Sequence, residues 1–286
     1  MIWIRRLLHF RKTLLFAVVA VAFYNVACHT PKFPLPSGVQ RTILRLPLSA
    51  EEVSASVYVP KKVEGALPVA IVAHGFTRSR RYMAGWGSAL AENGMIAVVI
   101  HQPAFADWAH NGRAIAELAG LLRAEGDALT GLKTTGDIAL VGFSMGGLST
   151  LLAAEADPEM RCWVGLDPVD FKGRGVRAIS NLSMPQCILR AEPAAWNRNG
   201  NARKLVEAAK RPLFALKVKD ATHCDVEEPT DLAGKLACGW TDPVRHEVFE
   251  RYAVAFLRSV LFGDAEAEKV LDEAGKDDRV SEVVRR

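Results

Sequence analysis

The chain has no surplus of charge to offer a polyanion. Its 36 lysines and arginines face 32 aspartates and glutamates, and four of the basic residues (Arg5, Arg6, Arg11, Lys12) fall in the first 27 residues, which contain no acid. The remainder is balanced, so nothing points to a nucleic-acid partner. The N-terminal apolar run, Leu14 to Phe23, is short of the roughly 20 residues that cross a bilayer as a helix. Cysteines number five and histidines seven. They show no close ligand spacing, so neither a metal nor another cofactor is expected. Internal repeats are absent, and so is any linker between two domains.

What is present starts with a targeting pattern. Basic residues precede the apolar run, and Asn25-Val26-Ala27-Cys28 follows it. This is the layout of a signal peptide, so export to an extracytoplasmic compartment is expected, with membrane contact only through this segment. The small Ala27 before Cys28 resembles a lipoprotein signal, although Asn25 stands where an aliphatic residue is usual. Lipidation, plain cleavage and an uncleaved anchor are the alternatives. The expected organisation is a signal or anchor over 1–28, a linker over 29–40, one catalytic domain over 41–263 and a charged, frayed helical tail over 264–286. Cys162, Cys187, Cys224 and Cys238 remain. Cys224–Cys238 is the favoured pair because it would staple the loop after His223, with four free thiols as the alternative.

Strands are expected at 41–47, 53–59, 67–73, 94–101, 137–143, 162–167, 186–191 and 213–219. The second alternates apolar and polar and reads as a half-exposed edge or hairpin strand. Those from 67 onward are continuous apolar runs, as in parallel strands covered on both faces. Helices are expected at 81–92, 112–129, 146–156 and 201–210. A further helix is capped by Asp242, has Pro243 in its first turn and ends at Gly263, with Val244, Val248, Tyr252 and Ala255 as its core stripe. The fold class is therefore α/β: a mostly parallel sheet of about eight strands with helices on both faces.

The chemistry is carried by Gly142-Phe143-Ser144-Met145-Gly146-Gly147, which follows the apolar run Asp137 to Val141. Gly-x-Ser-x-Gly between a strand and a helix is the pattern of a nucleophile elbow. The serine sits on a strained turn with its hydroxyl in the open, and the flanking glycines avoid backbone collisions. Ser144 is the expected nucleophile. It needs a base, and His223, just after the last expected strand, lies at the same carboxyl edge of the sheet. His246 reads as structural, and His74 and His101 as supports for the backbone. For the acid, Asp167 is favoured because the sixth strand ends in it. Glu192 is second and Asp170 third. The oxyanion hole is expected from the backbone amides of Phe76, in His74-Gly75-Phe76, and of Met145. Phe76, Trp108 and Trp196 are candidates for lining the substrate cleft.

On these residues the chain resembles the α/β-hydrolases. It is most similar to the branch of chlorophyllases, platelet-activating-factor acetylhydrolases and cutinase-like polyester hydrolases. His74-Gly75-Phe76, the elbow, Leu166-Asp167-Pro168-Val169-Asp170 and His223 carry the resemblance, over roughly residues 40–262. The branch draws its acid from the segment after the sixth strand, which implies Asp167 by a second route. Chlorophyllases tend to flank the serine with His and Arg. Phe143 and Met145 stand here, as in lipases, which argues against chlorophyll as the substrate. Only nineteen residues separate Asp167 from Pro185 inclusive, too few for a large lid domain. The expected protein is a monomeric serine esterase with an open site for a small or polymeric ester. The competing classes are a non-catalytic binding protein with this fold and an acyltransferase using the same triad.

Overall fold

The computed structural model describes residues 33–210 and 212–286. The expected signal segment over 1–28 lies outside them, as does the first part of the expected linker. Among the described residues no helix is long and apolar enough to cross a membrane.

Among the described residues nine strands form one sheet: β1 (Val39–Leu48), β2 (Glu51–Pro60), β3 (Leu67–Ala73), β4 (Ile96–Ile100), β5 (Thr134–Phe143), β6 (Cys162–Leu166), β7 (Gln186–Arg190), β8 (Leu213–Val218) and β9 (Val280–Arg285). Their spatial order is β1-β2-β4-β3-β5-β6-β7-β8-β9. The strands from β3 to β8 run parallel; β1, β2 and β9 pair antiparallel at the flanks. The helices are α1 (Ala84–Glu92), α2 (Trp108–Thr130), α3 (Met145–Ala156), α4 (Arg174–Asn181), α5 (Arg203–Ala208), α6 (Leu232–Cys238), α7 (Pro243–Phe262) and α8 (Ala265–Asp272). The central strands are buried throughout because a layer of apolar side chains covers each face. This is the α/β-hydrolase architecture. A single short helix, α4, occupies the connection between β6 and β7, so no large lid stands over the sheet.

Three expectations need correction. The 264–286 segment is not a frayed tail. Asp264 caps α8 through Glu266 and Ala267, and β9 then closes the sheet beside β8. The edge of β8 would otherwise leave its amides and carbonyls unpaired. Ion pairs hold β9 in place: Glu282 meets Arg190 at 2.9 Å and Lys217 at 3.3 Å. The second strand is a hairpin strand, joined to β1 through Ser49 and Ala50, but it is neither an edge nor half-exposed. It lies between β1 and β4, and Ser56 and Tyr58 are buried. Gly87 of α1 makes this possible, since a Cβ there would stand 2.9 Å from Cγ of Tyr58. In the α7 stripe, Val248, Tyr252 and Ala255 are buried as expected but Val244 is exposed. It falls in the first turn of the helix. Asp242 does cap α7 through the Val244 amide, and Gly263 ends it at φ 63°.

β3 lies between β4 and β5, so the chain order reverses there. Loops following strands on either side of such a reversal diverge and leave a crevice at the carboxyl edge. The loops after β3, β5, β6 and β8 carry Phe76, Ser144, Asp167 and His223.

Candidate active site

Ser144 stands between β5 and α3 at φ 55°, ψ −123°. That left-handed backbone costs energy in any residue with a Cβ, so the surroundings must hold it. They do so by close approach. A Cβ on Gly146 would lie 2.6 Å from the Ala73 carbonyl oxygen, and one on Gly142 would lie 2.6 Å from the Gly146 carbonyl oxygen and from Gly147 Cα. The Ser144 amide donates to Leu166 O at 3.1 Å, and its carbonyl accepts from Val169 N at 3.0 Å. The elbow is thus pinned to the end of β6, where the candidate acid lies.

His223 opens a 3-10 turn after β8. Its Nε2 lies 2.8 Å from Ser144 Oγ and its Nδ1 lies 2.6 Å from Asp167 Oδ2. All three side chains are buried. Asp167 accepts two further hydrogen bonds, from the Ala191 amide on Oδ1 and from Asn197 Nδ2 on Oδ2, both at 3.0 Å. Three donors thus converge on one buried carboxylate. Its backbone is also left-handed, at φ 40°.

The two alternative acids are occupied elsewhere. Glu192 Oε2 accepts from Lys217 Nζ at 2.9 Å. Asp170 Oδ1 takes the Gly175 amide at 2.6 Å, at the start of α4. Asn197 was not singled out in the sequence. It follows β7, where an acid was sought, and an amide aimed at a neighbouring strand's acid leaves no local pattern.

The loop after β3 reaches the serine closely. A Cβ on Gly75 would stand 3.1 Å from Ser144 Cβ and 3.0 Å from Cε1 of Phe143, so any larger residue would crowd the serine and its neighbouring ring. Phe76 follows it, and Met145 is the first residue of α3, where amides have no intrahelical acceptor. Phe76 thus follows the close approach to Ser144, and Met145 follows Ser144 directly in the chain. The Phe76 ring packs edge-on against Trp108 at 5.7 Å between centroids, and Trp108 clusters with Met145, Leu148 and Val169. Trp196 does not join this wall. Its indole donates to Ala237 O at 2.7 Å, beside α6.

His74 supports this loop, as expected from its place at the end of β3. Its Nδ1 lies 2.8 Å from Gly75 O, and its Nε2 accepts from the Gln102 amide at 3.2 Å. Burial, aided by the nearby His101, lowers its pKa to about 3. The imidazole is therefore neutral in the folded protein above that pH, whereas an unfolded histidine takes up a proton near 6.5. The unfolded state binds the extra proton between these limits, so stability falls as pH drops from 6.5 toward 3. Urea melts across that range should show a shallower slope in His74→Gln than in wild type; equal slopes would remove His74 as the source.

The loop carrying His223 is fastened on all sides. Cys224 and Cys238 form a disulfide with a Cα–Cα distance of 5.9 Å. Asp225 is fully buried, and its carboxylate accepts from Thr222 N, Asp242 N and Arg245 Nε at 2.6–2.7 Å. Arg78, two residues beyond Phe76, grips Glu227 through Nε and Nη2 at 2.6 and 2.7 Å and reaches Asp231 at 3.2 Å. Trp86 Nε1 donates to Val226 O at 2.6 Å. The base and the serine's neighbouring loop are thereby joined through side chains that no short motif displays.

Among the described residues, the potential metal ligands that gather together are those of Glu228, His246 and Glu250. Their arrangement is that of an ion pair. Burial opposes a charge on His246, but Glu228 at 3.2 Å, with Glu250 further off, raises its pKa. His246 Nδ1 lies 2.9 Å from Asp225 O, the structural role expected of it.

Comparison with known proteins gives a family match. The model of a family described as PET hydrolase-like covers residues 48–240, about two thirds of the 286-residue chain. No curated protein matches.

Proposed function

Because the chain belongs to the PET hydrolase-like family and is thus an ester hydrolase of the α/β-hydrolase type, we propose that it cleaves carboxylic esters through Ser144, His223 and Asp167. One observation carries this reading: a continuous line of hydrogen-bond contacts, 2.8 and 2.6 Å long, from the serine hydroxyl through the imidazole to a buried carboxylate.

In the proposed reaction, Ser144 Oγ attacks the ester carbonyl carbon while His223 Nε2 takes its proton. Asp167, hydrogen-bonded to Nδ1–H, keeps the other nitrogen free to accept and stabilises the imidazolium that forms. The carbonyl π electrons move onto oxygen, and the amides of Phe76 and Met145 receive that oxyanion. Collapse expels the alkoxide, which takes the proton from His223, and leaves an acyl-serine. Water then attacks with His223 again as base, and the acid departs. The Phe76–Trp108 wall would hold an apolar or aromatic acyl group beside the serine. The Cys224–Cys238 bridge suits an oxidising compartment, which supports export.

The test is labelling with a fluorophosphonate, followed by peptide mass spectrometry. The adduct is expected on Ser144. A set of 4-nitrophenyl esters of increasing chain length, with a polyester film alongside, would then grade the acyl preference. Folded protein that neither takes the label nor releases 4-nitrophenolate from any ester would overturn the proposal in favour of a binding role. Product transfer to an added alcohol in place of water would identify an acyltransferase.

A further inference from the structure

A cavity of about 490 Å³ lies against the Gly75–Phe76 turn, the segment that approaches Ser144. Its lining has two unlike parts. Phe76, Phe105 and Trp108 form an aromatic wall, with the Phe76 and Phe105 rings 4.7 Å apart. The other part of the lining includes Arg80, Arg81 and His101, and none of the lining residues is acidic.

The charge in that part is unmatched. Arg78, also on the wall, is already neutralised by Glu227 and Asp231. Arg80 and Arg81 make no ion pair among the described residues. Arg80 is partly buried, and its only hydrogen bond there is a long one, 3.4 Å from Nε to Ser54 Oγ. Desolvation and the like charge of Arg81 lower its pKa, with Arg41 adding to the effect. Tyr58 is the neighbour whose negative form would favour the guanidinium, but burial raises the phenol's own pKa and keeps it neutral. A half-buried guanidinium without a counter-ion is costly to maintain, and a planar fork of donors fits a carboxylate in a bidentate manner.

We infer that this part of the cavity receives the free acid of an ester substrate, so that the chemical class favoured is a half-ester of a dicarboxylic acid with an aromatic or apolar body. The inference rests on Ser144 acting as the esterase nucleophile. The carboxylate would sit against Arg80 and Arg81, the body along Phe76 and Trp108, and the scissile carbonyl at the elbow. An uncharged polymer segment would gain only the aromatic wall.

Two reporter esters of benzene-1,4-dicarboxylic acid test this: the 4-nitrophenyl half-ester and its methyl-capped counterpart, which lacks the free acid. Wild type should favour the half-ester, chiefly through KM, and less so at high salt. In Arg80→Gln the ratio of the two kcat/KM values should fall about tenfold or more, the size expected for a lost charge-assisted pair. Arg203→Gln, which neutralises an exposed arginine on α5, should leave the ratio as in wild type. An unchanged ratio in Arg80→Gln would overturn the inference while leaving the esterase intact. Absence of turnover of both esters by wild type would instead sink the esterase reading. Calorimetry with benzene-1,4-dicarboxylate then judges the pocket alone: binding weakened about tenfold in Arg80→Gln upholds the acid subsite, and equal or undetectable binding in both proteins overturns it.

Discussion

Ser144→Ala is expected to lower kcat by about 10⁵- to 10⁶-fold on any ester the protein turns over, with KM little altered. The hydroxyl that forms the covalent bond is gone, while the amides of Phe76 and Met145 and the aromatic wall are untouched. A residual rate above water should therefore persist. The fold should survive, because alanine retains the Cβ that the φ 55° backbone already accommodates and loses only the contact with His223. Asp167→Asn should cost about 10⁴-fold for a different reason. Its amide would donate to Nδ1 of His223 and force the proton onto Nε2, where it faces Ser144 and blocks deprotonation. That NH2 group would also oppose the Asn197 donor on the same side, while the remaining oxygen still accepts from the Ala191 amide. Steady-state kinetics on one soluble ester, with thermal melts of each variant, reads both effects. A Ser144→Ala protein that keeps more than about a thousandth of the wild-type rate and melts normally would show that another group is the nucleophile.

Arg78→Ala is expected to destabilise the protein by about 3–5 kcal/mol, since it strands a buried carboxylate without its partner. The exposures decide the size: the Arg78, Glu227 and Asp231 side chains are 7%, 1% and 5% exposed, so solvent cannot screen the abandoned charge. For a domain of this size, that corresponds to a fall in Tm of roughly 6–20 °C. Arg78→Ala paired with Glu227→Gln should recover part of the loss, because one of the two stranded charges is removed with its partner. Activity should fall as well, since Arg78 ties the Gly75–Phe76 turn to the loop bearing His223. Differential scanning calorimetry of the single and double variants is the measurement. A single variant that melts within a degree or two of wild type would mean that water reaches Glu227, contrary to its burial.

The strands from β3 to β8 were legible because each is a short apolar run between helical stretches, and burial on both faces demands that composition. β9 was not. Val280, Val283 and Val284 are scattered among Ser281, Glu282 and Arg285, and nothing local marks them as a strand. They pair because β8 presents an open edge some seventy residues earlier in the chain and because Glu282 finds Arg190 and Lys217 there. β2 misled in the opposite sense. Its alternation reads as half-exposed, but α1 covers the polar face by way of a glycine. In the site, Ser144 and the Gly75 turn carry their own backbone requirements within a few residues and are readable for that reason. Asp167, Glu192 and Asp170 were competing carboxylates, and only their partners separate them: Lys217 holds Glu192, α4 holds Asp170, and Asn197 with Ala191 turns Asp167 toward the imidazole.

Acting alone, the order of residues determined the strand-to-helix bend and the parallel α/β layout. Both are local matters of backbone strain and of apolar periodicity. The tertiary structure decided which carboxylate meets His223, how that histidine's loop is clamped, and where two arginines stand without an acid among the described residues. Each of these depends on groups far apart in the chain sharing one buried space. Pairing and desolvation there are set by what surrounds a side chain, and neighbours in sequence do not reveal it.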